Sequence, residues 1–303
     1  MKTFDYHTPT TAEEALSILA QHGDDAHFMA GGTSMMLLMM QGLVQPGHVV
    51  GLRGVSELRG IKRTADGGLE IGAMTSHRQM EKSDDAYAYC PTLPENFARV
   101  ATIRIRNQGT VGGNLVHADP AQDPPSMLMA LDAQAVIRSA SGERSVPLDE
   151  FFTDYFETVV QEGELLTSVK LPPLPANART CYVKFLPRTE DDYATVAVAA
   201  RLQLDANNRV EDVRVALGAA APTPIRAKRV EDAIRGQVLT EAMIDDAAEL
   251  VLDEVDPIAD IRGSAEYKRA MARVWTQRAL KSLFNNTPLA GKHGTLIPAR
   301  ARG

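Results

Sequence analysis

Two widely separated glycine pairs, each flanked by hydroxyl or amide side chains, constrain this chain most: Ala30-Gly31-Gly32-Thr33-Ser34 and Thr110-Val111-Gly112-Gly113-Asn114. The first lies between His27-Phe28-Met29, which reads as a strand, and a methionine-rich stretch over 35–41, which reads as a helix stopped by Gly42. A strand that runs through such a turn into a helix presents unpaired N–H groups at the positive helix end, and so makes an anion site. Glycine lets the backbone approach a phosphate with no Cβ in the way, and Thr33 and Ser34 can add donors. Taken alone, the segment is equally an ordinary tight turn with Ser34 as a helix cap. The second pair tips the balance, because a diphosphate has two phosphates for two turns meeting across a cleft. Its own alternative is a bulge or hairpin, with the upstream Arg104 and Arg106 on a solvated edge. Neither turn has P-loop or GxGxxG spacing.

Around these turns the chain reads as α+β. A short strand over 3–6 precedes the capping box Thr11-Ala12-Glu13-Glu14, which opens a helix through Ala20, and a further strand covers 48–52. Residues 1–54 thus form a small parallel α/β part. Residues 55–177 change to short, mainly antiparallel strands with turn signals such as Asp66-Gly67-Gly68 and Ser141-Gly142, interrupted by helices over 76–82, 95–101 and 126–131. Leu171-Pro172-Pro173-Leu174-Pro175 punctuates the chain, and the domain boundary is placed just after it. A C-terminal domain over 178–285 follows, with strands at 181–186, 195–204 and 210–217, a hairpin turn at 205–208, and helices at 227–235, 241–255 and 265–284. Residues 286–303 read as an extended tail.

Composition removes several classes of function. The net charge of −7 is spread over interspersed acids and bases, which argues against a nucleic-acid footprint. The longest strongly apolar stretch, residues 35–40, is far short of a membrane span, and the N-terminus lacks a secretory pattern, so a cytoplasmic location is expected. Two cysteines, Cys90 and Cys181, and scattered histidines cannot supply an iron–sulfur cluster or a structural zinc site, so no metal ligands are assigned and such centres must come from other chains.

The stretch Thr102-Ile103-Arg104-Ile105-Arg106-Asn107-Gln108-Gly109-Thr110-Val111-Gly112-Gly113-Asn114-Leu115, followed by His117-Ala118-Asp119-Pro120-Ala121-Gln122-Asp123-Pro124-Pro125, closely resembles the FAD-binding signature of the molybdenum hydroxylase flavin subunits. These are the medium chains of bacterial carbon monoxide dehydrogenase and its relatives, similar to the middle domain of xanthine dehydrogenase. Ala30 to Ser34 matches the family's first diphosphate motif, with Thr33 where a histidine is frequent. Gly163-Glu164-Leu165-Leu166-Thr167-Ser168-Val169 and Lys184-Phe185-Leu186-Pro187-Arg188-Thr189-Glu190-Asp191-Asp192-Tyr193-Ala194 match two later blocks. Four ordered blocks make a specific signal where one alone is weak.

The resemblance implies a two-part PCMH-type, vanillyl-alcohol-oxidase-like FAD domain followed by a small domain of a three-stranded sheet with helices. By it, the backbones of Ala30, Gly31, Gly32, Thr33, Ser34 and Met35, and of Thr110, Val111, Gly112, Gly113 and Asn114, would hold the diphosphate. Asp123 would accept from a ribose hydroxyl, or else cap a helix before Ser126. Leu166 would lie against adenine, or be plain core. Lys184 would approach the isoalloxazine ring, or be a solvated strand lysine, and Tyr193 would cover one ring face on a charged loop with Arg188, Asp191 and Asp192, or that acidic cluster would be a solvated turn. Met35, Met36, Met39 and Met40 read as core packing. No protein group has a catalytic role, because the flavin carries the chemistry. FAD would be noncovalent and would pass electrons from a small iron–sulfur subunit with 2Fe-2S clusters, partnered by a large molybdopterin subunit in a dimer of heterotrimers, to an external acceptor. The competing readings are a self-contained flavin oxidase of the same fold and a flavin-free structural subunit.

Overall fold

A computed structural model describes residues 2–187, 192–289 and 294–297. The first layer is a three-stranded parallel sheet with His48–Gly51 in the centre, Asp5–His7 on one side and Ala26–Met29 on the other. Parallel strands need crossovers, and helix Ala12–His22 supplies the one from the first edge strand to the other, across the central position. Thr11 caps that helix by accepting from Glu14 N, while the Glu14 carboxylate reaches back one residue further than a strict capping box, to Thr10 N. The helix buries Ala12, Ala15 and Leu16 against Val50, Leu52, Val55 and Leu58.

The second layer is an antiparallel sheet in the order Ile61–Arg63, Leu69–Gly72, Leu165–Leu171, Gln134–Ser139, Gly142–Pro147. Helices Thr92–Ala98, Val111–His117 and Asp123–Ala130 pack into its core, where Phe97, Leu115, Met127, Leu128 and Phe151 are fully buried. Residues 110–114, read as a glycine turn with a bulge or hairpin as the alternative, open the short helix Val111–His117, and Ile103–Gln108 forms another just before it. Thr102 and Thr110 each cap one by accepting the N–H three residues on, and a local cap favours helix over ladder.

The C-terminal sheet has the three expected strands at its centre, Arg179–Phe185, Val196–Leu204 and Val210–Gly218. Two short edge strands add to them, Ile225–Arg226 and Gly294–Ile297. The second of these comes from the segment expected to be a tail, which pairs with Arg179–Phe185. Both faces of this sheet are covered, and alternation along one strand sorts them. Cys181 and Val183 join Trp275, Ala279 and Leu283 of helix Ala265–Asn285, whereas Tyr182 joins the core of the preceding layer. Lys184, two residues on, shares the Tyr182 face and is therefore delivered to the seam between the two parts. Asp132 ties the same seam by accepting from Arg201 at 2.5 Å and Arg214 at 2.7 Å.

Candidate functional site

Strand Ala26–Met29 delivers the chain through Ala30 and Gly31 to Gly32, whose φ of 77° is a left-handed conformation that glycine adopts without strain. Helix Thr33–Met40 starts there with no side-chain cap. Among the described residues the N–H groups of Thr33, Ser34 and Met35 have no protein partner, so three donors and the positive helix end face a cleft of about 450 Å³.

The two glycine turns meet across this cleft, but the glycines serve the protein's own packing. A Cβ on Gly31 would stand 2.0 Å from the Gln108 carbonyl oxygen, and one on Gly112 would stand 2.6 Å from Ala73 Cβ. One on Gly113 would press on Thr110 Oγ1 at 2.9 Å and Ala30 Cβ at 3.2 Å. The second turn also spends its N–H groups internally. Val111 N donates to Thr75 O, Gly112 N to Ala73 O and Gly113 N to Thr110 Oγ1, at 2.9, 2.8 and 3.1 Å. The two turns therefore differ in what they leave open: the first presents the Thr33, Ser34 and Met35 N–H groups, and the second, its next three N–H groups engaged, presents that of Thr110. Val111 itself is fully buried core.

What the second turn offers the cleft is side-chain polarity. Asn114 Oδ1 is buried without a partner, and so are Gln122 Oε1 and His77 Nδ1 on the same wall. An unsatisfied buried polar atom costs about 1–3 kcal/mol, so three around one cavity point to a ligand that satisfies them. His77, 3% exposed and packed against Phe97, is held at a pKa of about 4 by burial and, secondarily, by the Arg106 charge. It is a neutral imidazole. Arg106 itself is structural, pairing with Glu81 at 3.0 Å and donating to the carbonyls of Val100 and Ala101, while Arg104 is exposed.

Asp123, expected to accept from a ribose hydroxyl, has both carboxylate oxygens engaged. Oδ1 accepts from the Tyr182 hydroxyl at 2.5 Å and Oδ2 from Lys184 Nζ at 2.8 Å. It occupies the first position of helix Asp123–Ala130, where the helix dipole favours a carboxylate, and Gln122 takes the cap position. Burial pushes the Asp123 carboxyl above its usual range, with Lys184 opposing, and burial then Asp123 pushes the Tyr182 phenol far up. Lys184, 4% exposed, also donates to Arg99 O at 2.8 Å, which leaves one of its three donors for the cleft.

Leu166 is buried and lines the cavity beside Leu165. Tyr193 stands at the mouth with 38% of its surface exposed, yet its phenol is pushed up to about 12 by burial first and by Asp119 and Asp123 after it. Its ring sits under the Arg262 guanidinium at 5.4 Å, and Arg262 binds Asp192 at 2.6 Å, which lowers the Asp192 carboxyl. Arg188 and Asp191 lie outside the described residues. Of the methionines, Met35 lines the cavity and Met39 is core, whereas Met40, expected to be core, is 69% exposed in the last turn of its helix. His77, Gln122 and Tyr182 are site residues that sequence reasoning passed over. Tyr182 was signalled by its place two residues before Lys184 on one strand, and Gln122 by its neighbour Asp123, but nothing local marks His77.

Residues 2–174 match the family model for the FAD binding domain in molybdopterin dehydrogenase, and residues 181–283 match that for the CO dehydrogenase flavoprotein C-terminal domain. The carbon monoxide dehydrogenase medium chain of Hydrogenophaga pseudoflava is 34% identical over 281 residues, covering 93% of this chain and 97% of the relative. A putative xanthine dehydrogenase FAD-binding subunit of Escherichia coli K12 is 30% identical, covering 91% and 94%. Among solved structures, that of Hydrogenophaga pseudoflava carbon monoxide dehydrogenase lacking the Mo-pyranopterin moiety superimposes with a TM-score of 0.90 at 34% identity, over 94% of this chain and 98% of the other.

Proposed function

The chain belongs to the FAD-binding flavoprotein subunits of the molybdenum hydroxylases, multi-subunit oxidoreductases, and from that premise we propose how its residues hold the flavin and where it works. FAD, when bound, supplies the redox chemistry that joins the metal centres of the complex to an external acceptor. The observation that carries the assignment is the set of three unpartnered N–H groups of Thr33, Ser34 and Met35 at a helix N-terminus, opposite the orphaned acceptors Asn114 Oδ1 and Gln122 Oε1.

Phosphate oxygens need donors, and the first turn has them. Ribose and ribityl hydroxyls need acceptors, which Asn114 and Gln122 supply, so hydroxyl recognition rests on those two, while Asp123 chiefly holds Lys184 in place. Leu166 gives an apolar wall for adenine. Lys184 presents a cation beside the ring system, favouring added negative charge there, and Tyr193 covers the mouth. The FAD is noncovalent, with no protein nucleophile or base required. The domain boundary near 177 separates the flavin part from the C-terminal sheet that contributes Lys184 and Tyr182.

The partners are a small iron–sulfur subunit and a large molybdopterin subunit, in a dimer of heterotrimers. The working compartment is the cytoplasm, which suits two buried, free cysteines; among the described residues no helix is long and apolar enough to cross a membrane.

Ser34→Asp tests the phosphate site. A carboxylate in the first turn suits the helix dipole but repels a diphosphate there. The FAD dissociation constant should rise at least about tenfold, a loss of about 1.4 kcal/mol in binding, with thermal stability retained, while Ser34→Asn keeps its flavin. An FAD dissociation constant unchanged in Ser34→Asp would refute the assignment.

A further inference from the structure

Three histidines far apart in the sequence meet where the edge strand Asp5–His7 and the first helix pack on the central strand of the parallel sheet. His7 closes strand Asp5–His7, His22 closes helix Ala12–His22 and His48 opens strand His48–Gly51. The register sets Asp5 beside His48 and His7 beside Val50, so His7 and His48 are diagonal neighbours on one sheet face. Val50 on that face packs against the helix, whose last turn brings His22 over the pair.

His7 Nε2 stands 3.1 Å from His48 Nδ1. The His22 and His48 rings stack with centroids 3.6 Å apart, and one ring nitrogen from each of the three lies within 4.8 Å of the others. All three side chains are half-buried.

His7 and His48 share a hydrogen bond, and among the described residues the carboxylate oxygen within 4 Å of the trio, Asp5 Oδ2, stands 3.9 Å from His48 Nδ1, beyond hydrogen-bonding distance, so no carboxylate locks these nitrogens against a stronger electrophile. A metal ion is such an electrophile. With Zn–N bonds of about 2.0–2.1 Å, two nitrogens on one tetrahedral ion stand about 3.3 Å apart, close to the spacing of His7 and His48.

We propose that His7, His22 and His48 form a binding site for a divalent transition metal of the zinc, nickel or copper class, which imidazole ligands favour. The fourth position falls to water or to Asp5, whose side chain is exposed and adjacent. The site is separate from the flavin cleft. Strand pairing sets His48 level with Ala26 and His7, on the far edge strand, level with Phe28, so the glycine turn at Ala30 begins about 13 Å and about 7 Å further along at roughly 3.3 Å per residue. None of the three histidines lines that cleft. The ion would fasten the first strand and the first helix to the central strand, stiffening the layer from which the glycine turn springs.

The test uses the untagged full chain, stripped with a chelator, dialysed against zinc chloride and then against metal-free buffer, followed by elemental analysis and thermal unfolding. One zinc per chain should remain and the melting temperature should rise. His22→Ala and His48→Ala should lose both effects, and His27→Ala, which changes an exposed neighbour outside the trio, should keep both. Should His48→Ala fold poorly, His22→Gln at the helix end carries the comparison. Failure of the wild-type chain to retain zinc, or equal retention in the His22 variants, would overturn the proposal.

Discussion

His77 offers a quantitative test of the cleft wall. It is 3% exposed, and burial holds its pKa at about 4 against an ordinary 6.5. The unfolded chain therefore binds a proton in the interval that the folded chain refuses, so the contribution to stability is present in full above about pH 6.5 and is lost as pH falls toward 4. At 1.36 kcal/mol per pH unit, the interval is worth about 3 kcal/mol. His77→Gln removes the titration while keeping a polar side chain. Urea unfolding of the flavin-free wild type and variant from about pH 7 to about pH 4 isolates the effect, because every other titrating group cancels in the difference. The wild type should lose about 3 kcal/mol more than the variant across that range. A difference that stays flat within about 0.5 kcal/mol would show that His77 carries its proton in the folded state, and the account of the wall would fail.

Lys184→Met should destabilise the chain by about 3–5 kcal/mol, because it removes the cation bonded to the buried Asp123 carboxylate and leaves the neutral Tyr182 hydroxyl donating to it. Adding Asp123→Asn should recover part of that loss, and urea midpoints showing under about 1 kcal/mol for the single variant would mean the pair is solvated. Tyr193→Ala should leave FAD content and unfolding nearly unchanged, since Tyr193 is largely at the mouth, and should alter the rate at which an external acceptor is reduced in stopped-flow traces of the complex. Loss of bound FAD would instead place Tyr193 in the binding surface.

Features set by a few neighbouring residues could be read from the chain itself. Thr11 before Glu14 signalled a helix start, the run from His27 through Gly31-Gly32 signalled strand, turn and helix, and two lone cysteines ruled out an iron–sulfur cluster in this chain. Four motif blocks in order added the family and its flavin. Partner choice across the fold was another matter. Both glycine turns look alike locally, yet the first keeps the N–H groups of its helix start free, whereas the backbone at Ala73 and Thr75 reaches the second and takes the Gly112 and Val111 donors. Asp123 looks like a solvent-facing acceptor until the C-terminal sheet lays Tyr182 and Lys184 on it. His77 has no local mark because its neutrality comes from burial against Phe97 and from Arg106, both remote in sequence. Histidines at 7, 22 and 48 read as scattered, and only parallel pairing with a helix folded across it gathers them. Backbone preference and capping act within a turn or two of chain, whereas desolvation and hydrogen-bond competition depend on which faces the tertiary structure presses together.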